Sequence, residues 1–425
     1  MSTLTPTRTQ QIIDRHDRCM SRNYPRQPIA IVRGEGCYLY DAEGRRFLDL
    51  FAGFGAGLLG HCHPDLVEAV TQQARTLWHT GNLLHTEPQT LLAEAISRHS
   101  FGGRSFFCHS GADANEAAFK LARLYGKAKP AAKGRATPPS PLGRFKIIAA
   151  TGGFHGRTFG TMVATGQEDV RQGFEPLLPG FLHVPYNDLP AAERAVDEET
   201  IAIVVEPIQG EGGMNVPDDA YLPGLRQLCD QRDLLLILDE VWTGCGRTGR
   251  YFAHQHWGIE PDIMTLAKGV GGGLPVGVMC AKPHVAELYD WSQYGKAKHA
   301  TTLGGNCIAM AAAATVFKVL QRDGLVERAD QLGRRTLQRL SRLIPSCPAV
   351  KAVRGKGLFI GIELDPAARD TTFKTAGDVV KRCLDLGVII QSAQKNVLRL
   401  APPLTISESQ LDEGLAVIER ALQGA

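Results

Sequence analysis

Six short apolar runs punctuate the chain, at residues 105–108, 146–150, 201–205, 234–238, 263–267 and 276–280. Runs of this length without polar alternation are what strands buried on both faces look like. Helix candidates lie between them, including residues 64–78, which open on a proline, and 112–125, rich in Ala, Leu, Lys and Glu. Such alternation predicts a doubly wound α/β layer structure around a mostly parallel sheet. From Gly324 the pattern changes to a long polar helix (325–344), a strand pair (350–364), a helix (375–386), a strand (388–391) and a last helix (407–422). That order predicts a smaller α+β C-terminal domain. Residues 126–144, full of Lys, Pro, Ala and Gly and lacking any acidic residue, read as a mobile surface insertion.

Charge and composition narrow the function classes. With 47 Lys+Arg against 44 Asp+Glu the net charge is only +3, and no basic stripe marks a nucleic-acid binder. No apolar stretch approaches the roughly 18 to 20 residues of a membrane span, and the first twenty residues lack the apolar run of a signal peptide. Ten scattered cysteines without a C-x-x-C read as reduced residues of a cytoplasmic protein.

Two G-x-G-x-x-G matches occur, at Gly55, Gly57, Gly60 and at Gly244, Gly246, Gly249. Neither suits a dinucleotide, which needs a strand before the glycines and a helix opening at the third. After the first match the helix begins only at Pro64; before the second, Asp239 and Glu240 would repel a pyrophosphate. His61-Cys62-His63 lacks the further ligands zinc requires, so no metal is expected.

Three other features belong together. A strand followed by Ser110, Gly111 and Ala112 opens a helix, and a helix start presents free N–H groups and a positive dipole end to phosphate. Asp239 closes an apolar strand at the carboxyl edge, where open α/β sheets bind ligands; alone it reads equally as half of a structural ion pair. Lys268 ends the next apolar run and is followed by Gly269, Gly271, Gly272 and Gly273, which clear space for something flat. A lysine for a Schiff base, a carboxylate to keep a pyridine nitrogen protonated and a helix start for a phosphate are the contacts pyridoxal 5'-phosphate requires.

From about Tyr24 to Leu404 the chain resembles the class III aminotransferases of the fold type I pyridoxal-phosphate family. The segments that carry the likeness include RGEGCYLYDAEGRRFLDL, GHCHP, FFCHSGADANEAAFKLAR, GGFHGRTFG, VVEPIQGEGG, LLLILDEVWTGCGRTG, PDIMTLAKGVGGGLPVG, TTLGGN, VRGKGLFIGIEL and LRLAPPLT. The resemblance implies an N-terminal segment (1–70) packed on the small domain, a large cofactor domain (71–323) and a small domain (324–425). It makes Lys268 the cofactor-bearing lysine and proton shuttle, and Asp239 the partner of the ring nitrogen. Ser110, Gly111 and Ala112 would hold the phosphate, Phe154 would stack on the ring, and His155, Val241 and Trp242 would complete the cofactor site. Outside this motif, Phe154 reads as core and Arg157 as a surface arginine. Within it, Arg157 would grip the substrate α-carboxylate and Arg399 the second carboxylate of 2-oxoglutarate, with Glu211 pairing with Arg399 when that carboxylate is absent. Tyr24 and Thr301 would stand near the substrate, and Thr302 would reach the phosphate of a neighbouring subunit, implying a homodimer.

The implied reaction is transfer of the terminal amino group of N2-acetyl-L-ornithine to 2-oxoglutarate in arginine biosynthesis, with ornithine, 4-aminobutyrate or another ω-amino acid as alternative donors. Two departures stand out. Trp242 replaces the glutamine usual after DEV, and His299-Ala-Thr-Thr-Leu303 replaces the usual H-G-S-T-F. The indole N–H retains a donor, but its bulk must reshape the pocket.

Overall fold

The structure is a computed structural model that describes residues 6–129, 141–368, 371 and 373–423. Seven strands form its central sheet: β1 (Arg104–Cys108), β2 (Lys146–Ala150), β3 (Phe181–Val184), β4 (Thr200–Val205), β5 (Leu235–Asp239), β6 (Ile263–Leu266) and β7 (Gly277–Ala281). Their spatial order is β1-β7-β6-β5-β4-β2-β3. The five strands from β3 to β6 pair in parallel, and β7 runs antiparallel to both β6 and β1. The fold is the anticipated one, a large mostly parallel sheet accompanied by smaller α+β structure.

Period-two geometry explains why the runs lack polar alternation. Ile147, Ala149, Ala202, Val204, Leu235 and Ile237 face Ala117, Ala118, Leu121 and Ala122 of the helix Gly111–Ala128. Their alternates Ile148, Ala150, Ile203, Val205, Leu236 and Leu238 pack on Leu222, Leu225 and Leu228 of the helix Tyr221–Arg232. Both faces are covered, so the interior positions of β2, β4 and β5 are apolar.

Two four-stranded sheets flank this layer. Ile31–Glu35, Tyr38–Asp41 and Arg46–Asp49 are joined by Val388–Ile389, which pairs in parallel with the third of them. Val350–Lys356, Phe359–Leu364, Val397–Leu400 and Gln391–Ala393 make the other. The single strand expected at 388–391 is therefore two, divided at buried Ile390 between different sheets.

The ends of the 126–144 segment also differ from expectation. Gly126 lies inside the helix Gly111–Ala128, so close to the Arg144 carbonyl oxygen that a Cβ there would collide with it. Arg144 is buried and donates from Nε to the Thr200 carbonyl (3.0 Å) and from Nη1 to Asp233 Oδ2 (3.2 Å). These ends are structural; residues 130–140 of the expected insertion lie outside the described residues. Among the described residues no helix is long and apolar enough to cross a membrane.

Candidate active site

Parallel neighbours β4, β5 and β6 bring three sequence-distant groups to one carboxyl edge: Glu206 just after β4, Asp239 at the end of β5, and Lys268 just after β6. The helix Gly111–Ala128 starts at the same edge, capped by Ser110, whose Oγ accepts from the Asp113 N–H (3.1 Å). Together they line a cavity of about 450 Å³ that also contains Gly111, Ala112, Phe154, His155, Arg157, Glu211, Val241 and Trp242. A larger groove of about 960 Å³ between helices elsewhere contains none of these residues.

Asp239 is fixed before any ligand arrives. Its Oδ2 accepts from Asn115 Nδ2 and His155 Nδ1, both at 2.8 Å, and its Oδ1 from the Val241 N–H at 3.0 Å. Asn115 is held in turn by Thr265, which donates to its Oδ1 (2.8 Å). Burial opposes a charge on His155, but the bond to Asp239 prevails and raises its pKa. The resulting anion is oriented and partly balanced, as a buried carboxylate must be. The neighbouring Glu240 has a different task. Its oxygens accept from His254 Nδ1 and from the backbone of Ala253 and His254, pinning the loop that follows.

Lys268 adopts a left-handed backbone (φ 40°), and its Nζ lies 4.3 Å from the centre of the Trp242 ring. Burial lowers its pKa, against attraction from Asp239, Glu211 and Glu206. The amine is thus shifted toward its neutral, nucleophilic form. Gly111 has a steric role: a Cβ there would come within 2.9 Å of Val241 Cγ1. The turn therefore runs against Val241 at a separation that favours glycine.

Arg157 is exposed at the cavity and lies 5.6 Å from the Phe154 ring centre. Arg399, nearly fully buried, pairs with Glu211 (2.8 Å) and donates from Nη2 to the Ser392 carbonyl (2.8 Å). Thr301 lies just outside the cavity, within 3.2 Å of His109 Nδ1. Thr302 is exposed and does not line the cavity of its own chain. Tyr24, expected near the substrate, is not brought there within one chain; it is exposed, stacks with Arg26 (5.3 Å) and lines a separate cavity with Gln391. Of the residues set aside earlier, His61 bonds Asp49 (2.9 Å) and His63 caps the helix Pro64–Thr76.

Sequence reasoning missed Glu206, Asn115 and Thr265. Glu206 carries the signal that singled out Asp239, a carboxylate at the end of a wholly apolar strand. Its Oε1 accepts from the Phe154 N–H (2.9 Å) and its Oε2 from the Gly210 N–H (3.0 Å), so it ties two cavity loops together. Burial, then the charge of Asp239, raises its pKa from 4.5 to about 7. Because the folded form holds a proton that the unfolded chain releases near 4.5, this contribution to stability is present at low pH and is lost as pH rises through about 7. By linkage its size is on the order of 3 kcal/mol. Glu206→Gln carries no such proton, although it forfeits one of the two accepted bonds. The difference in melting temperature, parent minus variant, is therefore expected to shrink between pH 5 and 8; a constant difference contradicts the assignment.

Comparison with known proteins places this geometry in a family. The family model Aminotransferase class-III matches residues 19–422. An acetylornithine aminotransferase from Caldanaerobacter subterraneus is 46% identical over 399 residues, covering 94% of this chain and 96% of that protein. One from Mycolicibacterium smegmatis is 43% identical, covering 97% and 98%. Among solved structures, an ornithine aminotransferase from Toxoplasma gondii with partial occupancy of PLP at its active site superposes with a TM-score of 0.90 at 30% identity, covering 99% of this chain and 96% of that one. An acetylornithine aminotransferase from Elizabethkingia anophelis gives a TM-score of 0.83 at 30% identity, covering 99% and 100%. A match that runs almost end to end in sequence and in backbone leaves one conclusion: the chain belongs to the class-III aminotransferases.

Proposed function

We propose that this aminotransferase moves the terminal amino group of N2-acetyl-L-ornithine to 2-oxoglutarate with pyridoxal 5'-phosphate as cofactor, acting as a cytoplasmic homodimer in arginine biosynthesis. The donor is suggested by the acetylornithine aminotransferases that share 43–46% identity with the chain. The observation that carries the chemistry is the convergence of Lys268 and Asp239 on one cavity with Arg157 and with Glu211, which Arg399 pairs with from behind the lining.

The residues present fit the cofactor. Lys268 would hold it through its amine, Asp239 through the ring nitrogen, and Ser110, Gly111 and Ala112 through the phosphate, with Phe154 and Val241 on the ring faces. When bound, the cofactor supplies an electron sink for the pair left behind when a substrate C–H proton departs. The protein's own work is then positioning and proton transfer. Lys268 Nζ takes the proton from the amino-bearing carbon and returns it at the other end of the transfer, a role helped by its depressed pKa. Asp239, locked in place by Asn115 and His155, would present its carboxylate to the ring nitrogen. Arg157 grips the α-carboxylate as a bidentate partner.

Arg399 meets the second carboxylate of 2-oxoglutarate, and Glu211 occupies it when the donor brings no such group. One pocket thereby serves an uncharged acetylated tail and a diacid in turn. Thr302 would reach the phosphate of the partner subunit, in keeping with its exposure outside its own cavity.

The structural likeness to an ornithine aminotransferase favours ornithine as the second reading. A donor panel with 2-oxoglutarate separates the two. N2-acetyl-L-ornithine is expected to give glutamate with a kcat/KM at least about tenfold above ornithine or 4-aminobutyrate, the scale of one net hydrogen bond. Equal or better use of ornithine overturns the donor assignment, and no glutamate from any donor overturns the reaction.

A further inference from the structure

The geometry points to Trp242 as a specificity-determining residue for the second carboxylate of the amino acceptor, acting by holding Arg399 on its ring face. This rests on the reading of Arg399 as the group that meets that carboxylate.

Arg399 is 3% exposed, yet among the described residues its polar partners are few: the Glu211 carboxylate and the Ser392 carbonyl. Three aromatic rings do the remaining work. The guanidinium carbon lies 5.1 Å from the centre of Trp242, 5.3 Å from Phe51 and 5.8 Å from Phe54. Ring faces attract cations, most strongly for tryptophan and where water is excluded. This cage matters when Glu211 withdraws. At that moment Arg399 has lost its counter-ion, and only the rings and one carbonyl keep it aimed until a carboxylate from the substrate arrives.

Trp242 differs from the other two rings in touching Lys268 as well, at 4.3 Å. The indole therefore stands against both the reacting amine and the recognition arginine. Its pose is set by packing against Phe359 (5.2 Å between ring centres) and by two glycines: a Cβ at Gly55 would come within 2.6 Å of Nε1, and one at Gly210 would strike the six-membered ring. Among the described residues Nε1 has no hydrogen-bond partner. The indole is thus placed by its faces rather than by its N–H. The polar donor anticipated at this position is replaced by a cation-binding surface.

Two measurements test this on the cofactor-loaded enzyme. The first compares acceptors as a ratio, so that effects of the substitution on the donor half-reaction and on Lys268 cancel. In Trp242→Gln, kcat/KM for 2-oxoglutarate relative to a monocarboxylic 2-oxo acid is expected to fall by about 3- to 30-fold, the range of one cation–π contact, with Trp242→Phe in between. The second needs no turnover: glutarate, a non-reacting dicarboxylate, is titrated against the parent and both variants by calorimetry and tryptophan emission. Its Kd should weaken by a similar factor in Trp242→Gln, and the emission change seen in the parent should vanish in Trp242→Phe, while butyrate gives none.

An unchanged ratio and an unchanged glutarate Kd in a folded Trp242→Gln overturn the inference. If that variant does not fold, an undiminished emission change in Trp242→Phe overturns it instead. Should the parent itself form no glutamate, the proposed reaction fails, and the glutarate titration still decides the role of Trp242.

Discussion

Lys268→Ala is expected to reduce aminotransfer by about four orders of magnitude or more, because one side chain both holds the cofactor and moves the proton. The visible absorption of the purified parent, attributable to cofactor bound on the lysine, should disappear at the same time. Stability should not fall with it. Burial works against the charged form of this amine, so its removal relieves a desolvation cost, and alanine at φ 40° suffers no more backbone strain than lysine does. The expected variant is therefore folded, colourless and inactive, with a melting temperature equal to or above that of the cofactor-free parent, because the loaded parent gains further stability from the bound cofactor. Retained colour with retained turnover, measured by absorbance and by glutamate formation, would remove Lys268 from the mechanism.

The lysine was legible because its signal is local, a cationic residue at the end of an apolar strand followed by glycines. The same holds for the central sheet. Burial on both faces forces uninterrupted apolar runs, and five of the six runs became parallel or edge strands of one sheet, as alternation predicts; their spatial order could not be read from it. The sixth, β7, is antiparallel to both neighbours, and an apolar run carries no mark of direction. Less legible were features that depend on distant partners. Val388–Ile389 is a two-residue strand whose partner, Arg46–Asp49, lies more than 300 residues earlier; neither segment announces the other. Arg144 looked like part of a basic, solvated segment, yet Thr200 and Asp233 draw it inside. Glu206 and Asn115 had the right residue types in plain view, but their importance comes from the side chains they meet. Trp242 could be seen to differ from a familiar pattern, whereas its position between Lys268 and Arg399 required the folded chain.

Asp239→Asn tests the other half of the site with almost no change of shape. Loss of the carboxylate charge opposite the ring nitrogen should lower kcat by about 10² to 10³, the usual cost of removing one preorganised electrostatic contact. Binding of the cofactor by Lys268 should persist, so the variant keeps visible absorption, unlike Lys268→Ala. The substitution also unbalances the cluster around it. His155 and Asn115 both donate to Oδ2, and an amide nitrogen cannot accept from either; the asparagine must therefore present its single oxygen there and leave the Val241 N–H without an acceptor. An orphaned buried donor costs roughly 1 to 3 kcal/mol. Part of that loss is offset because Glu206, freed from the neighbouring negative charge, ionises more easily. Asp239→Asn should accordingly shift the pH dependence of melting associated with Glu206 to lower pH, and a double variant with Glu206→Gln should abolish it. A kcat within tenfold of the parent, together with an unmoved pH profile, would show that the carboxylate at the end of β5 is only a structural partner of His155 and Asn115.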